Sequence, residues 1–172
     1  MVLGTFVTLA RRAFLRGRTL QQHVLRPPGA RPESDFVDLC TRCDDCIKAC
    51  PTTVIHRGQG GFPELSFSSG ECTFCGECVA ACRPAALVAQ GEPLTLPYRA
   101  AINDRCMTYQ RIECRVCGER CPAAAIGFRP RIGGVAIPEL DASRCTGCGA
   151  CEAPCPTGAI VVRTSMEPST CE

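Results

Sequence analysis

Sixteen of the seventeen cysteines in this 172-residue chain fall into four groups of four. They are Cys40, Cys43, Cys46, Cys50; Cys72, Cys75, Cys78, Cys82; Cys106, Cys114, Cys117, Cys121; and Cys145, Cys148, Cys151, Cys155. Groups one, two and four are spaced C-x2-C-x2-C-x3-C, and the closing cysteine precedes proline in groups one, three and four (Pro51, Pro122, Pro156). Three thiolates so close together wrap a short loop around one corner of a four-iron cubane, with backbone N–H groups turned toward the sulfurs. The fourth leads out of the loop to ligate a neighbouring cluster. Two runs then make one module with two clusters, and four runs make two modules. Every group offers a full cysteine set, so no iron has an obvious open position for a substrate. Electron transfer is the expected chemistry, with no catalytic residues.

Two other uses of cysteine fit less well. Structural zinc takes separated C-x2-4-C pairs around one tetrahedral ion, unlike these dense triplets. Disulfides need an oxidising compartment, and the sequence shows no usable export segment. The third group departs from the pattern, with seven residues between Cys106 and Cys114 in "CMTYQRIECRVCGERCP". Either Cys106 completes a four-iron site through a longer loop, or the site is less stable, with a three-iron or labile form. The second group departs mildly, Arg83 standing between Cys82 and Pro84. Cys171 is left over and is expected to be a free exposed thiol. The two histidines are isolated: His23 reads as solvated, His56 as part of a strand.

The elements that must position these thiolates are short. After group one comes "TTVIHRGQGGFPELSF" and after group three "AAAIGFRPRIGGVAIPEL". Each is an apolar stretch, a Gly-Gly turn (Gly60-Gly61, Gly133-Gly134) and a second apolar stretch, which predicts a β-hairpin. The segment after group two, "PAALVAQGEPLTLPYRAAIND", has no such turn and reads as the connection between modules. Groups one and two are therefore paired, and three with four, although a nested pairing stays open. In the sequential arrangement Cys40, Cys43, Cys46 and Cys82 hold one cluster, and Cys50, Cys72, Cys75 and Cys78 its partner. Cys106, Cys114, Cys117 and Cys155 hold the third, and Cys121, Cys145, Cys148 and Cys151 the fourth. Short helices are expected after the fourth cysteines. The fold class is α+β: a basic arm over residues 1–33, a ferredoxin-like two-cluster module over 34–100 and a second over 101–172.

Composition agrees with clusters in place of a large apolar core, since tryptophan is absent and aromatics make up 5%. No run approaches the roughly 18 apolar residues of a membrane helix, so no membrane span is expected. Residues 1–32 carry six arginines and no acid, while the remainder has 13 basic against 17 acidic residues. Each oxidised cluster with its thiolates would add about −2 to that acidic body. Within the arm, "LARRAFLRGR" places Arg11 and Arg12 before Phe14 and Leu15, the core of a twin-arginine export signal. The apolar segment such a signal needs does not follow. Leu3, Phe6, Val7, Ala10 and Phe14 fall at helical spacing, which suits an amphipathic segment that folds on contact, or else a flexible tail or a stretch packed against the modules.

The chain resembles the family of ferredoxin-type NapF proteins of the periplasmic nitrate reductase system. The resemblance rests on "RRAFLRGR", "CTRCDDCIKAC" with "HRGQGGFPELSF", the widely spaced "CMTYQRIECRVCGERC" and "RCTGCGACEAPCPTGAI". It implies a cytoplasmic accessory iron–sulfur protein with four [4Fe-4S] clusters. It also implies a partner, the unexported precursor of the molybdenum-containing catalytic subunit, acted on during maturation, and no nucleic acid. Arg11, Arg12, Phe14 and Leu15 are then the candidate docking residues. A carrier that feeds electrons to a quinone or reductase complex is the alternative.

Overall fold

The computed structural model describes residues 24–89, 91 and 94–164. The expectations for Arg11, Arg12, Phe14, Leu15, His23 and Cys171 lie outside those residues. The elements run α1 (Glu33–Leu39), α2 (Asp45–Ala49), β1 (Ile55–Arg57), β2 (Pro63–Leu65), α3 (Glu77–Ala80), β3 (Tyr98–Ile102), α4 (Val116–Glu119), β4 (Ile126–Arg131), β5 (Gly134–Leu140) and β6 (Ile160–Thr164).

Among the described residues three two-stranded antiparallel sheets, β1–β2, β3–β6 and β4–β5, give the fold its repeat. β1–β2 is the hairpin between the first two cysteine groups, with His56 opposite Glu64. β4–β5 is its counterpart between groups three and four, with a register shift around Pro130, which has no N–H for the ladder. In the second half, β3 and β6 bracket the repeat and pair Tyr98 with Thr164 through Ile102 with Ile160. In the first half a single antiparallel bridge, Ala30 to Leu87, occupies the equivalent place.

The one-turn helices do not follow the fourth cysteines, as the sequence suggested. Three of them contain the third cysteine of a group and stop at or just before the fourth: α2 holds Cys46, α3 Cys78 and α4 Cys117. The C-x3-C spacing is one helical turn. At Cys50 the backbone is already extended (φ −76°, ψ 110°), as expected for a residue before proline, whose ring crowds the helical conformation. The fourth group makes only turns over the same stretch.

Among the described residues two apolar clusters fill the interior. The larger joins Phe36, Val54, Ile55, Leu65, Phe67 and Leu87 to Leu96, Tyr98 and Val162, so strands of the second half seal the first. The smaller has only Ala100, Cys117, Ile126, Cys151 and Ile160 at its centre. Part of the expected basic arm belongs to this body. Arg26 is 6% exposed, its guanidinium paired through two bonds to Glu33 (2.7 and 3.0 Å) and donating to the Pro63 carbonyl at 3.0 Å. It stacks over Phe36 and Phe62, 4.7 and 5.6 Å from the ring centroids. Arg31 bonds to the Ala85 and Ala86 carbonyls. Two of the six arginines thus serve the fold.

Candidate metal centres

The backbone of the cysteine loops shows why they can wrap a compact group. In groups one, two and four the third and fifth positions are left-handed: Arg42 and Asp44, Phe74 and Gly76, Gly147 and Gly149. Alternation of this kind turns successive N–H groups to one side and makes a concavity that favours anionic ligands. A second left-handed residue follows every closing cysteine by three positions, namely Thr53, Ala85, Ala124 and Gly158. For a residue with a Cβ this conformation costs on the order of 1 kcal/mol or more and persists where the surroundings impose it. Here it turns the next N–H groups back onto the sulfur. Leu87 N–H donates to Cys82 Sγ at 3.3 Å, Ala125 to Cys121 at 3.3 Å and Ala159 to Cys155 at 3.2 Å.

The third group reaches the same end by another route. Residues 107–112 form one helical turn closed by two bonds, Arg111 N–H to Thr108 O at 3.1 Å and Ile112 N–H to Met107 O at 2.9 Å. Arg111 is left-handed at φ 61°, so this is a Schellman ending. The turn takes up the extra residues and brings Cys106 back beside Cys114 and Cys117.

Four cavities of nearly equal size result. One is lined by Cys40, Cys43, Cys46 and Cys82, and one by Cys50, Cys72, Cys75 and Cys78. In the second half, Cys106, Cys114, Cys117 and Cys155 line one, and Cys121, Cys145, Cys148 and Cys151 the other. In every case three cysteines come from one group and the fourth from the closing position of the other group in the same half. The donors suit a multi-iron sulfide group: four soft sulfurs enclose a space, and among the described residues no three donors converge as a single ion requires.

The electrostatics differ around each cavity. Burial, with neighbouring thiolates adding to it, pushes the third thiol of each group far up: Cys46 and Cys117 to about 11, Cys78 and Cys151 to about 12. Burial also raises Cys72, which senses Cys50, Cys75 and Cys148. At Cys50 and Cys155 burial acts in the same direction but is outweighed, and both thiols fall below the ordinary value. Hydrogen bonds from the Thr52 hydroxyl and the Thr52, Val54 and Ile55 backbone do this at Cys50, and from Thr157, Ala159 and Ile160 at Cys155.

The sequence reading missed the threonines. Thr52 Oγ1 lies 3.6 Å from Cys50 Sγ, Thr108 Oγ1 3.3 Å from Cys106 and Thr157 Oγ1 3.8 Å from Cys155. Each sits two residues after its cysteine, and Thr108 is only 2% exposed. The cavity of Cys106 and Cys155 thus has two hydroxyls on its sulfurs. Hydrogen bonds to cluster sulfurs are among the terms that set reduction potential. C-x-T is a signal the sequence carried.

Comparison with known proteins agrees with this repeat. Residues 39–87 match one family described as a 4Fe-4S dicluster domain, and residues 110–159 match another of the same description. Two such domains give four [4Fe-4S] clusters. The ferredoxin-type protein NapF of Escherichia coli (strain K12) is 41% identical over 155 residues, 90% of this chain and 94% of its own length. NapF of Haemophilus influenzae is 44% identical over 169 residues, 92% and 96% of the two chains. The methylamine utilization ferredoxin-type protein MauM of Methylophilus methylotrophus is 32% identical over 182 residues, 93% and 79% of the two. No helix among the described residues is long and apolar enough to cross a membrane.

Proposed function

Since the chain belongs to the family of ferredoxin-type NapF proteins, we propose that it is a cytoplasmic iron–sulfur assembly factor with electron-transfer capacity. It acts on the precursor of the molybdenum-containing catalytic subunit of periplasmic nitrate reductase before export. The sixteen cysteines of the four groups are the cluster ligands, exchanged between groups as the cavities are lined. The observation that carries the electron-transfer part is the completeness of those sets: four cysteines surround each cavity. The clusters supply one-electron chemistry, and the protein's part is to hold them and to orient them with N–H and hydroxyl donors. The protein is therefore an electron-transfer and assembly protein rather than an enzyme.

Docking is assigned to Arg11, Arg12, Phe14 and Leu15, in a segment that carries positive charge ahead of an acidic body. The body itself begins before residue 33, because Arg26 and Arg31 are part of it. A fair test therefore leaves the body intact. Full-length, cluster-loaded protein and its Arg11→Ala/Arg12→Ala variant are compared in an anaerobic pull-down on the unexported precursor. Retention several-fold weaker in the variant, at equal iron content, is the expected result. Equal retention would remove the docking role, and no retention of either protein would favour a dedicated electron carrier.

A further inference from the structure

The two halves meet where the second and fourth cysteine loops touch. Cys72 N–H donates to the Cys148 carbonyl at 2.8 Å. Phe67, 1% exposed, lies so close over Gly149 that a Cβ there would overlap the ring, and a Cβ on Gly147 would fall 2.6 Å from the Tyr98 carbonyl oxygen. Left-handed backbone alone does not demand these glycines. The same positions of the first loop are filled by Arg42 and Asp44, and the third position of the second loop by Phe74. What distinguishes the fourth loop is the other half of the chain lying against it. Among the described residues, no backbone hydrogen bond outside the strands links the loops over 40–46 or 106–117 to the opposite half.

We propose that Phe67, Gly149 and the Cys72–Cys148 peptide hydrogen bond are positioning elements that set the Cys50/Cys72/Cys75/Cys78 site against the Cys121/Cys145/Cys148/Cys151 site. The four sites then follow one line. The Cys40/Cys43/Cys46/Cys82 set is at one end, the two sets at the seam are in the middle, and the Cys106/Cys114/Cys117/Cys155 set is at the other end. Within each half neighbours are tied by the exchanged cysteines; between halves the cysteine loops meet at this seam, beside the packing of Leu96, Tyr98 and Val162 on the first half. Gly149 is small because the loop must press against the Phe67 ring of the other half, and a larger residue would open the seam. The inference rests on the ligand sets above but not on the partner.

The test is electron paramagnetic resonance on full-length, fully reduced protein. In Cys43→Ala/Cys114→Ala only the two seam sites remain, and a split, fast-relaxing spectrum is expected. In Cys75→Ala/Cys151→Ala only the end sites remain, and two superimposed unsplit signals are expected. Unsplit signals in the first variant, or splitting in the second, would overturn the order. Gly149→Val, which alters no ligand, keeps the test alive if either pair fails to fold. It is expected to retain the iron and sulfide of four clusters while losing the seam splitting, and an unchanged wild-type spectrum would overturn the proposal. Iron and sulfide counts read the ligand sets separately, so a wrong ligand assignment is distinguished from a wrong order.

Discussion

Removing the iron from the anaerobic protein with a strong chelator is expected to unfold it, with loss of most far-UV structure and of any cooperative thermal transition. The second cluster of buried residues has only Ala100, Ile126 and Ile160 beside its two cysteines. A fully buried aliphatic side chain contributes about 1.5–3 kcal/mol, whereas fixing each residue's backbone costs about 1–2 kcal/mol. So small a core cannot offset the ordering of some seventy residues around it, and the sulfur–metal bonds supply the difference. The second half should therefore lose structure before the first, whose interior adds Phe36, Phe67, Leu65 and Leu87. Rebuilding should also depend on pH, because metal binding releases the protons of thiols that in the unfolded chain have the ordinary value of about 8.5, so reassembly should accelerate as pH rises toward that value. A chelated chain that still melts cooperatively would contradict this account.

Replacing Arg26 with alanine is expected to cost about 1–3 kcal/mol, the range for leaving buried hydrogen-bonding groups unsatisfied, since the Arg26 side chain is 7% exposed although its partner Glu33 is 54% exposed. The side chain fills several roles together. It closes a bidentate pair with Glu33, satisfies the Pro63 carbonyl and covers the faces of Phe36 and Phe62. It also stands 3.8 Å from Glu64 Oε1, a buried oxygen with no hydrogen-bond partner. Alanine would leave that carboxylate without its nearest cation. Arg26→Lys should recover little, because an ammonium cannot reproduce the planar fork or the ring stacking. The exposed pair of Arg57 with Asp44 is the control, and Arg57→Ala should cost less than about 1 kcal/mol. The measurement is the guanidinium concentration at which visible cluster absorbance is lost under anaerobic conditions. An Arg26→Ala midpoint equal to that of Arg57→Ala would contradict the role given to Arg26.

The cysteine groups were legible because metal chemistry fixes both residue type and spacing, and nothing else in the chain competes for that pattern. The hairpins were legible from their Gly-Gly turns. Helix positions were misread: short helices were expected after the fourth cysteines, whereas α2, α3 and α4 end before them. Proline at 51, 122 and 156 in fact pushes the fourth cysteine toward extended backbone. The wide gap in the third group showed only as an anomaly, since a Schellman ending at a non-glycine residue, Arg111, leaves little trace in sequence. Arg26 was invisible for another reason: it stands in a run of arginines that reads as a solvated arm, and its partners Tyr98 and Pro63 are far along the chain. The pairing of β3 with β6 and the contact of Phe67 with Gly149 are likewise long-range, and local pattern does not encode them.

Each closing cysteine lines the cavity of the neighbouring group rather than its own. Iron and sulfide counts in two paired variants measure this directly. If Cys43 and Cys82 hold the same cluster, Cys43→Ala/Cys82→Ala should lose one of the four, no more than either single variant, while Cys75→Ala/Cys82→Ala should lose two. Two clusters lost in the first pair and one in the second would show that each group keeps its own fourth cysteine, and would contradict the exchange.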